Sequence, residues 1–346
     1  MTSVFSRAAL TLIALVVLAA PHPLRAEGEL RLADLGDFRL ESGQVIRECR
    51  VGYRTFGTLN RDRSNAVLFP TWFAGTSQDL VNLGLIGPGR LADTSRWFVV
   101  AVDAFGNGVS SSPSNSKSQP GRSFPGFTVR DMVRAQQEVL SKYLGLERLH
   151  AVVGISMGGM QALQWVRSRP GSVRKAVSIM GTPRIAPSDL ALYNAGLRAL
   201  DSASDLRDGG AWGPDTLAAV LALIALTPEY DGGRLSEADA AGALARVEEI
   251  LARHDLTDWA RQIKAMMGHD IYGGASGNEV SGAIRAKLLL VVDRRDLLVD
   301  PGPSLALAKA LKAETLVLES DCGHFGILCE GERITRAVAA FLARKN

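Results

Sequence analysis

The sequence predicts an α/β protein with a mostly parallel central sheet, helices on both faces and an inserted helical cap. Three observations predict it. Short apolar runs alternate with longer amphipathic ones on either side of the chain's middle. Gly154-Ile155-Ser156-Met157-Gly158 stands between an apolar run and a helix-like run. Between Arg184 and about Ile284 the strand-like runs stop, and the chain becomes helical and rich in Ala and Leu.

Residues 1–26 read as a signal peptide. Arg7 supplies a positive n-region, Ala8 to Ala20 an apolar h-region broken only by Thr11, and Ala26 a small residue before Glu27. The apolar run is short for a bilayer span. We therefore expect cleavage, a secreted or periplasmic protein, and no transmembrane anchor afterwards. Roughly Arg47 to Phe56 alternates with period two and reads as antiparallel edge strand. Buried strands are expected at 65–69, 97–102, 150–153, 175–179, 287–292 and 315–318. Thr128 to Leu144 carries apolar residues at helical spacing, with Thr128 as N-cap and Asp131 three residues on. The last helix is expected at about Glu332 to Ala343.

Two separated stretches, 27–183 and 285–346, thus form the expected core, with 184–284 as a cap over the active-site edge; a separate helical domain elsewhere on the surface is the alternative. Within the cap, helices are expected at 189–203, 216–226, 236–254 and 258–267. The helix around Leu217–Leu226 is apolar on every face and suits core, an acyl pocket or a homodimer contact through the cap. The Ser-rich tract Ser110–Ser118 reads as an ordered loop near the site.

The chain's 346 residues are 47% hydrophobic, enough for a large core. The formal charge of +3 includes Arg7 and Arg25, so the chain without its leader is near neutral. That argues against nucleic acid or an anionic membrane surface as the main partner. A small molecule is the expected partner instead.

A G-x-S-x-G between strand and helix describes a turn that lifts a serine clear of the backbone, with helix N–H groups aimed at any oxyanion formed there. Ser156 is thus the candidate nucleophile. Its partners should follow in the order acid, then histidine. Asp296 lies in the loop after the run 287–292, with Asp293 as competitor; His324 stands between Gly323 and the Phe325-Gly326 pair, after the run 315–318. His150 opens a strand, and His254 and His269 fall in the insertion; all three read as structural or surface residues. Met157 N–H is the first expected oxyanion donor, and Trp72 N–H the second, with Phe73 as alternate. A Cys322–Cys329 bridge would staple the loop of His324, but with Cys49 also present spacing does not choose the pair. No zinc spacing occurs, and neither metal nor cofactor is expected.

At this point the chain resembles the homoserine O-acetyltransferase group of the α/β-hydrolase superfamily. The match runs through Tyr53-Arg54-Thr55-Phe56-Gly57-Thr58-Leu59-Asn60, Gly87-Pro88-Gly89, and Thr128 to Gln136, and on to Val153-Gly154-Ile155-Ser156-Met157-Gly158-Gly159-Met160-Gln161. It covers most of 45–180 and resumes around Asp296 and His324. The resemblance implies the α/β-hydrolase fold, a Ser156–Asp296–His324 triad and acyl transfer through a serine ester, and it places Arg198 where the group has a carboxylate-binding arginine. A helix-surface role for Arg198 is the alternative. Two departures stand out. Thr71-Trp72-Phe73-Ala74-Gly75 replaces the group's His-Ala-Leu-Thr-Gly. Phe325 replaces an Asp after the histidine, removing an ammonium partner worth about 1–3 kcal/mol. The expected function is an exported ester hydrolase. An acyl-CoA-dependent O-acetyltransferase acting on homoserine or another alcohol is the second reading, and a non-catalytic binding protein on the same fold the third.

Overall fold

The computed structural model describes residues 28–205, 255–275, 280 and 282–345. The signal peptide, the helices expected at 216–226 and 236–254, His254 and the proposed dimer helix lie outside the described residues. In chain order the strands are β1 (Arg31–Arg39), β2 (Val45–Phe56), β3 (Ala66–Pro70), the short β4 (Ile86–Gly87) and β5 (Ala92–Asp93), β6 (Phe98–Val102), β7 (Leu149–Ile155), β8 (Val173–Ile179), β9 (Lys287–Asp293) and β10 (Glu314–Leu318). Eight of them make one sheet in the order β1-β2-β6-β3-β7-β8-β9-β10. β1, β2 and β6 pair antiparallel, and every neighbour from β6 to β10 is parallel.

The apolar runs form central strands because both faces of the sheet are covered. Along β3, Ala66 and Leu68 enter one core, while Val67 and Phe69 enter the other. Helices α2 (Val129–Glu138) and α3 (Met157–Ser168) cover the first face. On the second lie α1 (Ser77–Asn82) and the C-terminal α8 (Gly331–Ala343). Helix α2 starts as expected: Asp131 N–H donates to Thr128 Oγ1 at 3.0 Å, and Thr128 N–H donates back to the Asp131 carboxylate at 3.1 Å. The antiparallel edge begins earlier than Arg47. β1 adds a strand whose register shifts around Gly36 erase the period-two signal.

Among the described residues of 184–284, the structure gives helices α4 (Pro187–Asp205) and α5 (Leu256–Met267), packed on each other, and one isolated bridge between Arg184 and Asp270. The chain leaves and re-enters the sheet region at one place. Ile271 N–H donates to Pro183 O at 2.9 Å, and the buried His269 ring Nε2 donates to Thr182 O at 3.1 Å. The remaining helices are α6 (Gly302–Leu311) and the short α7 (Gly326–Cys329).

Burial holds the His269 imidazole neutral, with its pKa lowered to about 4. The unfolded chain binds this proton more readily than the folded one, so stability drains away as pH falls from about 6.5 towards 4. Urea unfolding should show that loss. His269→Gln, which keeps a donor for Thr182 O, should flatten it, and an unchanged pH slope would contradict the assignment.

Candidate active site

The loops that leave the C-terminal ends of β3, β7, β9 and β10 gather at one edge of the sheet, where open parallel sheets place their ligands. Ser156 sits between β7 and α3 with φ 54° and ψ −122°. Such a conformation costs a non-glycine residue on the order of 1–3 kcal/mol and survives only where surroundings enforce it. Here they do. Ser156 N–H donates to Ile179 O at 2.8 Å, tying the turn to β8, and Met160 N–H donates to Ser156 O at 3.0 Å. A Cβ on Gly154 would overlap the Gly158 carbonyl, and one on Gly158 would come within 2.6 Å of Pro70 O. The two glycines are therefore required by close approach of backbone to backbone.

The turn brings Ser156 Oγ within 2.9 Å of His324 Nε2, and His324 Nδ1 lies 2.7 Å from Asp296 Oδ2. An ionised carboxylate only accepts, so the proton is on Nδ1, and Nε2 is left to accept from the serine hydroxyl. Asp296 is buried and oriented by its own loop. Its Oδ1 accepts from the N–H groups of Leu298 and Val299, both at 2.9 Å. Helix α4 braces that loop from outside: Tyr193 Oη donates to Leu298 O at 3.1 Å, and Asp300 N–H donates to Asp189 at 3.2 Å. Burial pushes the Asp189 carboxyl up to about 6.

Asp293, the competing acid, does not touch the histidine. It is fully buried at the end of β9, accepting from Arg295 N–H at 2.9 Å and from Ser320 N–H at 3.1 Å, with the Ser320 hydroxyl a further donor. It thereby ties the acid loop to the histidine loop. Of the nearby arginine side chains, Arg294 meets Glu319 at 3.3 Å and Arg295 meets Asp321 at 2.6 Å. Cys322 and Cys329 are joined as a disulfide with Cα atoms 6.3 Å apart, closing the turn that carries His324. Cys49 is a buried free thiol, pushed up to about 12 by burial.

Met157 N–H opens α3, where the helix dipole favours negative charge. Across from it, the tract 71–75 uses its backbone donors unevenly. Thr71 N–H goes to Val102 O, Gly75 N–H to Trp72 O and Ala74 N–H to Gln262 Oε1. The N–H groups of Trp72 and Phe73 donate to no described residue. Both candidates for the second donor therefore remain open. Phe325 is 39% exposed and meets the His324 ring edge-on, centroids 6.2 Å apart. Arg198 is exposed on α4. No three His, Cys, Asp or Glu side chains converge as a metal set among the described residues.

Residues 86–330 match the family described as alpha/beta hydrolase fold. A homoserine O-acetyltransferase of Clavibacter michiganensis subsp. michiganensis is 32% identical over 90% of this chain and 91% of its own length. The chain is an α/β hydrolase of the homoserine O-acetyltransferase-like group. A probable esterase of Corynebacterium glutamicum is 39% identical over 49% of this chain and 48% of its own length, so the chain spans about half the length of the first curated relatives it matches. Among solved structures, an acetylester hydrolase from Corynebacterium glutamicum superposes with a TM-score of 0.81 at 26% identity, covering 91% of this chain and 95% of that one.

Sequence reasoning about this α/β hydrolase missed two buried carboxamides behind the site, Gln161 and Gln262, and named Asp293 only as a competing acid, not as the tie between the two loops. Each sits where a core residue belongs, which is the available signal. Gln262 shares the buried face of α5 with Trp259, Ile263 and Met266. A fluorophosphonate should modify Ser156, read by mass spectrometry. Asp296→Asn, which leaves the imidazole in the wrong tautomer, should slow that labelling by about 10³-fold or more; unchanged labelling would remove Asp296 from the relay.

Proposed function

We propose that this protein is an exported serine ester hydrolase working through an acyl-serine intermediate. The observation that carries the reading is the hydrogen-bonded line from Ser156 Oγ through His324 to Asp296 at the N-terminus of α3. Ser156 Oγ attacks the ester carbonyl while His324 Nε2 takes its proton, and Asp296 stabilises the imidazolium. The carbonyl oxygen becomes an oxyanion that accepts from the N–H groups of Met157 and Trp72. Collapse breaks the ester C–O bond, and the alcohol leaves with the proton from His324. Water then gives a proton to His324 and attacks the acyl-serine, and a second collapse releases the acid and restores the Ser156 hydroxyl.

Hydrolysis is preferred to transfer for two reasons. An exported enzyme meets water rather than acetyl-CoA, and the signal-peptide pattern of residues 1–26 supports export. Phe325 offers an apolar ring beside the imidazole, where an amino-acid acceptor would need a charge partner. Short-chain esters of uncharged alcohols are the substrates this favours, in keeping with the acetylester hydrolase likeness. The second reading, an acyl-CoA-dependent O-acetyltransferase, draws on the relative of that name matched over nearly the whole chain.

The purified chain should release p-nitrophenol from short p-nitrophenyl esters without any cosubstrate, and Ser156→Ala should lower kcat by about 10⁴-fold or more. Turnover seen only when acetyl-CoA and homoserine are both supplied would overturn hydrolysis in favour of transfer. No turnover of any ester, together with no fluorophosphonate labelling of Ser156, would favour a binding protein.

A further inference from the structure

The tract 71–75 is gripped from two sides by buried carboxamides. From α3, Gln161 Nε2 donates to Thr71 O at 2.9 Å. Its own orientation is fixed, because its Oε1 accepts from Gln136 Nε2 while Trp165 Nε1 donates to Gln136 Oε1. From α5, Gln262 Oε1 accepts from Ala74 N–H at 2.7 Å, and Gln262 Nε2 donates to Phe105 O at 2.8 Å. Gln161 and Gln262 are both wholly buried.

These bonds act on the peptides that flank the open donors. A trans peptide points its C=O and N–H in opposite directions. Holding Thr71 O on Gln161 therefore turns Trp72 N–H to the opposite side of the strand end. Holding Ala74 N–H on Gln262 fixes the far end of the same tract, where Ala74 carries φ 59°, a conformation that needs outside support. Asn107 Nδ2 adds a bond to Gly75 O at 3.0 Å. What remains unspent between the two carboxamides is the pair of N–H groups at Trp72 and Phe73.

We propose that Gln262 is a positioning residue for the oxyanion site: from the helix that ends the inserted segment, it clamps the tract 71–75 so that its free N–H groups face the reacting carbonyl together with Met157 N–H. The inference rests on the serine-hydrolase reading above. Gln262 touches no reacting atom. It sets the donor geometry by linking the β3 loop, through Ala74, to the β6 loop, through Phe105. An oxyanion donor acts on a charge that exists only in the transition state, so its misplacement lowers kcat and leaves ground-state binding nearly alone.

The test compares wild type with Gln262→Met, which loses both bonds, and Gln262→Glu, whose protonated form can accept from Ala74 N–H and donate to Phe105 O. Rates on p-nitrophenyl acetate are normalised to sites titrated with a fluorophosphonate, so a partly unfolded preparation still reports. Affinity for an alkyl trifluoromethyl ketone, which forms a tetrahedral hemiketal oxyanion on the serine, is measured alongside. We expect kcat per titrated site to fall about 10-fold or more in Gln262→Met. KM should change less than threefold, ketone affinity should weaken in parallel with kcat, and Gln262→Glu should lie between the two. The pH profile of kcat/KM should keep its shape. Unchanged kcat and ketone affinity per site in Gln262→Met would overturn the proposal. So would a loss carried by KM or by a changed pH profile instead. A wild-type protein that neither turns over esters nor reacts with the fluorophosphonate would instead overturn the hydrolase reading beneath it.

Discussion

The Gly154 and Gly158 backbones touch each other and the Pro70 carbonyl, and that contact decides where Ser156 can be. A side chain at Gly154 would push β7 away from α3, and one at Gly158 would push α3 away from the end of β3. Once the turn closes, Ser156 has little freedom left: its N–H is spent on β8 and its carbonyl on the first turn of α3. The strain of its positive φ is sustained by neighbours that have no alternative packing, since β3, β7 and β8 are buried throughout their central residues. The geometry of Ser156 is therefore a by-product of how tightly a helix can follow a parallel strand.

The other two members of the relay come from loops with no such steric corset, and polar bonds replace it. Asp296 is aimed by two backbone N–H groups of its own turn. Asp293 then holds that turn to Ser320, and the Cys322–Cys329 link closes the segment beyond. Each bond is worth about 1 kcal/mol net if considered alone. Buried together they cost far more to break singly than to keep, because every deletion leaves an unsatisfied partner. The exposed pairs Arg294–Glu319 and Arg295–Asp321 cross the same gap but, being solvated, contribute little.

Much of this was legible in the chain. β-Branched runs mark strands buried on both faces, and the Thr128–Asp131 capping box fixes the start of α2. The Ser, Asp, His order singles out three residues that the fold brings together. Helix α1 carries a similar box at Thr76 and Asp79, but six residues leave too short a pattern to read. β1 was obscured by its bulges. The carboxamides of Gln161 and Gln262 were illegible for a deeper reason: their partners are backbone groups of loops 90 and 188 residues away, which carry no side-chain signal at all. Which backbone N–H stays open in 71–75 follows only after every other donor has found its acceptor.

On the proposed mechanism, hydrolysis and transfer would differ less in the relay than in what reaches the acyl-serine second. Both need the same serine, base and oxyanion donors for the first half of the reaction, so those residues cannot separate the two readings. The choice falls on the acceptor side. An ammonium entering beside His324 would give up hydration next to the Phe325 ring, and no carboxylate follows the histidine to repay that loss. Water has no such cost. Leu297 on the acid loop and Leu328 on the disulfide-closed turn are both more than half exposed, extending the apolar character set by Phe325 along the segments that carry the relay. On the proposed reading such an apolar surface suits an ester's alkyl portion better than a zwitterion, and the acyl-serine would be left to water, the acceptor that needs no binding site.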